Sequence, residues 1–345
     1  MSYTYDEIRR QPLVWREVLS QLQQSSRELV AWIASEVYDG VVFTGCGSSY
    51  NLALTAAYFW QHLNREFAKG VPSSEVLLFP EGVFLPDRKY LLFGISRSGE
   101  TTETIWALTH FREKFDGITV GITCEGDSSL SRLVHRSIAL PQVVENSVVM
   151  TQSFSSMLLA VLFLAMEKSG ISSGRLMSLP SILSGHFEQG EKLVRSVAAD
   201  LRFNKFIFLG DGPFYGIAWE GALKVKEMSI TSTEVFHFLE FRHGPKSIVD
   251  EMTFVVALSS KRAFDFESKV IQELVNLGAT VLHIGGKSVS SSSKVLEILF
   301  EEEIVDDFLM PLLDVVFLQL FGYFRAEAKG LNPDNPKNLT RVVTL

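Results

Sequence analysis

The apolar run Tyr90-Leu91-Leu92-Phe93-Gly94-Ile95 passes directly into Ser96-Arg97-Ser98-Gly99-Glu100-Thr101-Thr102-Glu103-Thr104. Six apolar residues bounded by a hydroxyl-rich segment read as a buried strand, and Thr104 to Phe111 reads as the start of a helix. Five hydroxyl side chains and a glycine are thus gathered where a strand turns into a helix. The first N–H groups of a helix lack intrahelical partners and sit at the positive end of its dipole, so they attract an anion. Hydroxyls can donate to phosphate oxygens or cap the helix. The competing reading is a capping box, Ser98 or Thr101 followed by an acid, with no ligand.

Outward from this stretch the pattern repeats. Val41–Thr44 reads as a strand followed by Gly45-Cys46-Gly47-Ser48-Ser49 and a helix from about Tyr50. Glu75–Phe79, Ile118–Thr123 and Ser137–Leu140 read as further strands, with helical patterns between most of them. Residues 5 to 36 carry helix-like spacing at Ile8, Leu13, Trp15, Val18, Leu19 and Leu22, and are expected to form an outer helical arm. After a polar stretch at Ser169 to Gly174 and a long helix to Asp200 the alternation restarts. Phe206–Leu209, Thr253–Leu258 and Thr280–Ile284 are the strands, and Phe308–Phe324 a late buried helix. Strands alternating with helices imply parallel sheets covered on both faces, an α/β fold.

The halves overlay. Phe43-x-Gly45-x-Gly47-x-x-Tyr50 matches Phe208-x-Gly210-x-Gly212-x-x-Tyr215, which suggests an internal duplication with two similar domains facing each other. A dinucleotide fingerprint needs a third glycine where Tyr50 and Tyr215 stand, so a nicotinamide enzyme is disfavoured.

Bulk composition narrows the class. A chain of 345 residues suggests two domains, and 46% hydrophobic with 21% charged residues argues for substantial cores. The net charge of -8, with no run of Lys or Arg, argues against nucleic-acid and anionic-membrane partners. Two cysteines, Cys46 and Cys124, make neither a disulfide framework nor a zinc set, and no histidine stands in a metal-ligand spacing. The polar, charged Met1–Arg16 does not read as a secretory signal, and no run is long enough to span a bilayer. The expectation is a soluble, cytoplasmic protein with no metal or cofactor.

Open α/β sheets bind ligands at the carboxyl ends of their strands. In the first half those ends offer Gly47-Ser48-Ser49 and Ser96 to Thr101, two hydroxyl-rich loops that can surround one phosphate. In the second half, the helix Phe214 to Met228 puts Glu220, Lys224 and Glu227 on one face, beside Ile217, Gly221, Val225 and Met228. Spacing alone is met by a solvated Glu220–Lys224 pair; the functional alternative makes one carboxylate a general base on a sugar carbon. His243, in Glu240-Phe241-Arg242-His243-Gly244-Pro245-Lys246, is a candidate acid/base group.

These pieces together resemble the sugar isomerase (SIS) family in its two-domain form. They are similar to the isomerase half of glucosamine-6-phosphate synthase and, more closely, to stand-alone amino-sugar-phosphate deaminases and isomerases, including those of galactosamine and tagatose 6-phosphates. The matching segments are Gly45 to Asn51, Ser96–Thr101, Glu145 to Phe154, Glu220 to Glu227, Arg242 to Pro245 and Asn332-Pro333-Asp334. The resemblance implies two tandem SIS domains, each a parallel sheet flanked by helices in a flavodoxin-like three-layer sandwich. The expected divisions are an arm at 1–36, a phosphate-binding domain at 37–185, a catalytic domain at 186–332 and a tail at 333–345 closing over the site.

Position by position, the resemblance implies that Ser49, Ser96, Ser98 and Thr101, with Cys46, Gly47 and Ser48, bind phosphate. Arg97, where the synthase has an uncharged residue, adds a charge contact. Val148 and Met150 fall in the segment that lines the sugar. Glu227 moves a proton between sugar carbons 1 and 2, with Glu220 and Lys224 behind it. His243 opens the ring, reaching in from the neighbouring subunit of a homodimer. Arg341 stands where the synthase tail has its Schiff-base lysine, and arginine cannot form that imine; Lys337 is the alternative amine. The two sugar domains and the arm are expected to use all 345 residues, so no glutaminase domain is expected among them. The implied activity is isomerising deamination of glucosamine 6-phosphate or a close epimer. Aldose–ketose isomerisation and fructosamine-phosphate deglycation are the alternatives, and an effector-sensing module is a non-enzymatic one.

Overall fold

Apolar runs bracketed by glycine, proline and serine form the parallel strands of the computed structural model, which describes residues 2–289, 292–301 and 303–341. The chain divides into two compact units, Arg9–Ser181 with Thr340–Leu345, and Met1–Ile8 with Ile182–Leu339.

Helix α1 (Tyr3–Ser25) starts in the second of these ranges and continues through the first; α2 (Arg27–Ser35) follows. The expected single arm is therefore broken at Ser26, and its buried face is Ile8, Val14, Trp15, Val18, Leu19 and Leu22, with Leu13 half exposed. Then come β1 (Gly40–Gly45), α3 (Ser48–Asn64), β2 (Ala68–Pro72), α4 (Ser73–Leu78), β3 (Tyr90–Ile95), α5 (Thr102–Lys114), β4 (Gly117–Thr123), α6 (Ser129–Leu133), β5 (Arg136–Ala139) and α7 (Gln152–Ser169). The sheet is parallel, in the order β2-β1-β3-β4-β5. Every residue of β1 and β3 is buried.

One expected strand is wrong. Glu75–Phe79 lies in and just after α4, and the strand beside β1 is the preceding Ala68-Lys69-Gly70-Val71-Pro72. Five residues are too few for periodicity to separate helix from strand. The true edge strand carries lysine, glycine and proline, residues an edge tolerates and a sequence scan penalises. Gly70 is needed because a Cβ there would sit 2.6 Å from the backbone of Ala53 in α3.

The second unit contains α8 (Leu179–Ala198, whose first residues lie in the other range), β6 (Lys205–Gly210), α9 (Pro213–Ser229), β7 (Glu234–Phe236), α10 (Phe238–Phe241), β8 (Thr253–Leu258), α11 (Phe264–Asn276), β9 (Thr280–Gly285), β10 (Val295–Leu299) and α12 (Met310–Ala328). Its parallel sheet runs β7-β6-β8-β9-β10, the same order as the first. Strands β7 and β10 have no counterpart among the expected strands: β7 has three residues and β10 is mostly half-buried.

The duplication extends to backbone angles. Gly47 precedes α3 at φ 55°, ψ −123°, and Gly212 precedes α9 at φ 55°, ψ −124°, conformations that L side chains rarely adopt. A Cβ on Gly45 would lie 2.6 Å from the Ser49 side chain, and one on Gly210 the same distance from the Phe214 carbonyl. Each helix thus starts hard against its strand, as the matched GxG predicts. Among the described residues no helix is long and apolar enough to cross a membrane.

Candidate active site

In the order 2-1-3-4-5, connections leave in opposite directions from the first and third strands, and the crevice between their carboxyl ends is the ligand position. Adjacent parallel pairing of β1 with β3 brings Cys46-Gly47-Ser48-Ser49 beside Ser96–Thr101 there. Ser48, Ser49 and Ser96 are buried, while Ser98 and Thr101 are half-buried. Ser96 Oγ and Thr101 Oγ1 lie 2.8 Å apart, and Ser96 Oγ accepts the Gly99 N–H at 3.0 Å. Gly99, at φ +66°, has no room for a side chain because a Cβ would meet Ser128 Oγ at 2.2 Å. The N–H groups of Gly47 and Ser98 have no protein acceptor among the described residues. These two N–H groups, a cluster of hydroxyls and two helix starts form a cradle whose chemistry suits an anion.

The Cys46 thiol faces away into a hydroxyl chain, 3.7 Å from Thr104 Oγ1, which is 3.1 Å from Ser73 Oγ, itself 3.2 Å from Thr44 Oγ1. Burial pushes this thiol's pKa up. It stays neutral, so Cys46 offers the cradle its backbone rather than a thiolate.

Arg97, read from the sequence as an added charge for phosphate, gives both terminal nitrogens to protein acceptors. Nη1 donates to Glu145 Oε2 at 2.8 Å and to the Ser147 carbonyl at 3.2 Å. Nη2 donates to the carbonyls of Val148 at 3.0 Å and Arg341 at 2.8 Å. The pair is buried, Arg97 8% and Glu145 1% exposed. Glu145 also accepts the N–H groups of Thr151 and Ser153 and both their hydroxyls, which places a carboxylate at the start of α7. Burial alone would raise the Glu145 pKa, but the Arg97 charge and these hydrogen bonds hold it below the usual range. Glu145 opens the segment to Phe154 that matches the family but is given no role there; an acid six residues before a Thr-Gln-Ser helix start is its local trace. Half-buried Val148 and Met150 belong to the loop this carboxylate closes.

In the other unit, α9 carries the expected acid–base face, but not as a solvated pair. Glu220 and Lys224 have no exposure and Glu227 keeps 19%. Lys224 Nζ lies 3.3 Å from Glu220 Oε1 and 2.5 Å from Glu227 Oε2. Burial works against the ammonium, yet the two carboxylates more than offset it and raise the Lys224 pKa above its usual range. Of the two carboxylates that hold this ammonium, Glu227 is the one that keeps exposed surface. Close packing on α12 orients this face: a Cβ on Gly221 would meet Leu318 at 2.6 Å, and one on Gly322 would meet the Lys224 carbonyl at 2.9 Å.

His243 is exposed, follows α10 and precedes Gly244 at φ +111°. Its imidazole has no hydrogen-bond partner among the described residues. A second histidine, passed over in the sequence, is partnered: His237 Nδ1 lies 2.9 Å from Asp211 Oδ1, and its ring stacks on Tyr215 at 3.9 Å. Asp211 occupies the x of the second Gly-x-Gly, and nothing in the sequence ties it to residue 237.

The residues expected to hold phosphate and Arg341 thus belong to one unit, and Glu220, Lys224, Glu227 and His243 to the other. The chain is similar to glucosamine-6-phosphate deaminase from Thermotoga maritima, whose crystal structure matches all of both chains at 33% identity and a TM-score of 0.84. It is 29% identical to the glutamine–fructose-6-phosphate aminotransferase (isomerizing) of Gloeobacter violaceus over 98% of this chain and 58% of that protein. The chain therefore spans a little more than half the length of that relative. The fold is also that of tagatose-6-phosphate ketose/aldose isomerase from Escherichia coli, with a TM-score of 0.88 at 22% identity over 99% of this chain and 96% of that one. The SIS domain model matches residues 39–167 and 202–323, one stretch on each sheet. With most of its length inside those two matches, the chain belongs to the SIS domain family.

Proposed function

We propose that the chain is an isomerising deaminase of an amino-sugar 6-phosphate, converting glucosamine 6-phosphate and water to fructose 6-phosphate and ammonia. The observation that carries this reading is Glu227, the partly exposed carboxylate of a buried Glu–Lys–Glu set whose lysine stays charged. The cradle at β1 and β3 takes the phosphate, and this remote binding energy orients the reacting carbons. His243, exposed and with no hydrogen bond to its imidazole among the described residues, moves a proton from the carbon-1 hydroxyl to the ring oxygen, which opens the pyranose. Glu227 then removes the proton from carbon 2 and returns it to carbon 1, leaving a ketimine at carbon 2. Water adds to the ketimine, and ammonia leaves with the electrons of the C–N bond. A substrate that already carries nitrogen at carbon 2 needs no imine-forming lysine, which agrees with Arg341 in the tail. The Thermotoga relative named for this reaction matches over its full length.

The test is ammonia release from glucosamine 6-phosphate by the purified protein and by Glu227→Gln. Release by the wild type that falls at least about 100-fold in the variant supports the reading. Ammonia from galactosamine 6-phosphate alone would assign the other epimer. No ammonia from either would overturn deamination, and product analysis with tagatose 6-phosphate and fructosamine phosphates would then separate isomerisation from deglycation.

A further inference from the structure

The residue between the two phosphate-loop serines is a buried arginine whose side chain leaves the loop. Its Nη2 has two hydrogens, and both are occupied: one by the carbonyl of Val148, the other by the carbonyl of Arg341, 244 positions away in sequence. Its Nη1 is on Glu145 and on the Ser147 carbonyl. The Arg97 carbonyl in turn accepts the Cys124 N–H at 3.0 Å and the Thr123 hydroxyl at 3.1 Å, so the arginine is itself tied to the end of β4. Arg97 therefore joins three segments: the Ser96–Thr101 loop that carries it, and, through its planar fork, the Glu145–Thr151 loop with Val148 and Met150 and the C-terminal main chain. Only a guanidinium satisfies acceptors spread in this way; an ammonium is a point charge.

We propose that Arg97 is a positioning residue, whose guanidinium fixes the main chain at Val148 and at Arg341 relative to the phosphate loop and so sets how the sugar end of the substrate is presented. The fastening stands on the geometry alone, and its catalytic consequence rests on the deaminase reading. Phosphate is held by hydroxyls and backbone N–H groups and does not depend on the fork.

Arg97→Lys isolates the effect. Lysine can keep the ion pair with Glu145 but cannot hold both carbonyls. Full-length R97K is expected to bind inorganic phosphate within about 3-fold of wild type, while trypsin cleaves after Lys337 and Arg341 at least about 10-fold faster. Turnover is expected to fall at least about 10-fold with KM changed less than about 3-fold, the mark of lost positioning rather than lost binding. Unchanged tail cleavage in a folded R97K, or a loosened tail with turnover intact, overturns the proposal, and so does loss of phosphate binding in parallel with turnover. If R97K does not fold, Arg97→Gln with Glu145→Gln removes both charges at once, leaves no lone buried ion, and is read by the same measurements. Should the wild type release no ammonia from any amino-sugar phosphate, the functional reading fails. The cleavage and phosphate measurements would still decide the fastening.

Discussion

Buried charge in this protein is used in two opposite ways, and the side chains tell them apart. Glu145 and Glu220 have oppositely charged partners, whereas Glu267 at the start of α11 has none among the described residues. Glu267 accepts the Ser260 N–H at 2.7 Å and the Ser260 hydroxyl, but burial, with help from Asp211 and Asp307, pushes its pKa up from 4.5 to about 8. A raised acid binds its proton more tightly folded than unfolded. Its contribution is therefore complete below the unfolded value and is lost as pH rises to about 8, at about 1.4 kcal/mol per pH unit for a single group. Glu267→Gln keeps the acceptor for the Ser260 N–H and removes the charge. It is expected to raise Tm above wild type by a margin that grows from pH 5 to pH 8, which thermal melts across that range measure; a constant margin would contradict the assignment. Accessibility decides a neighbouring case. Ser259 Oγ lies 2.7 Å from His283 Nε2, and His283 Nδ1 3.1 Å from Glu297 Oε1, the spacing of a hydrolytic triad. Ser259 and His283 have no exposure, so no substrate reaches them and the set is a framework that holds the carboxyl ends of β8 to β10.

At the scale of elements, what the sequence made legible were the pieces whose cause is local. The apolar runs of β1, β3, β4, β6, β8 and β9 and the helix-starting glycines are read directly, because strand burial and a glycine-only backbone leave a residue-level mark. What it hid depends on distant partners. The tail motif Asn332-Pro333-Asp334 matched a family pattern without a visible reason. In the structure Asp334 accepts the N–H groups of Tyr3 and Thr4 and the Ser2 hydroxyl, and so caps α1 from the far end of the chain. Burial opposes its charge, but these hydrogen bonds prevail and hold its pKa below the usual range. Asp334→Ala is expected to cost about 1–2 kcal/mol in urea unfolding at pH 7. The deficit should shrink as pH falls through the lowered pKa, where the wild-type carboxylate also protonates and the cap is lost. The packing of α12 on α9 is a second distant cause. Gly322 inside α12 looks like a helix weakness, yet a Cβ there would press on the Lys224 carbonyl. Gly322→Ala should therefore destabilise despite alanine's better helix propensity, by about 1–3 kcal/mol, and lower turnover by displacing the helix that carries Glu227.

Over the whole molecule, the duplication left one architecture with two chemistries. Both sheets have the same strand order and both helix starts the same glycine angles, but the hydroxyls went to the loops of the first repeat and the buried Glu–Lys–Glu set to the first helix of the second. The doubled GxG was enough to read the architecture from sequence. It could not reveal that Arg97 turns from the Ser96–Thr101 loop to the Arg341 main chain, since only folding brings those positions together. His243 raises the last question of scale. It is exposed, makes no hydrogen bond with its imidazole among the described residues, and is the group expected to work in a neighbouring protomer. In a homodimer built that way each active site takes Glu227 from one chain and His243 from the other. Glu227→Gln and His243→Asn would each be inactive alone. Unfolded together and refolded, half of the dimers are mixed, and one of the two sites in each mixed dimer regains both native residues. Recovery of about one quarter of wild-type ammonia release is then the expected outcome. If both groups act within a single chain, every site in every mixed dimer lacks one of them. The refolded mixture would be as inactive as its parents, and that result would place His243 in the same protomer as Glu227.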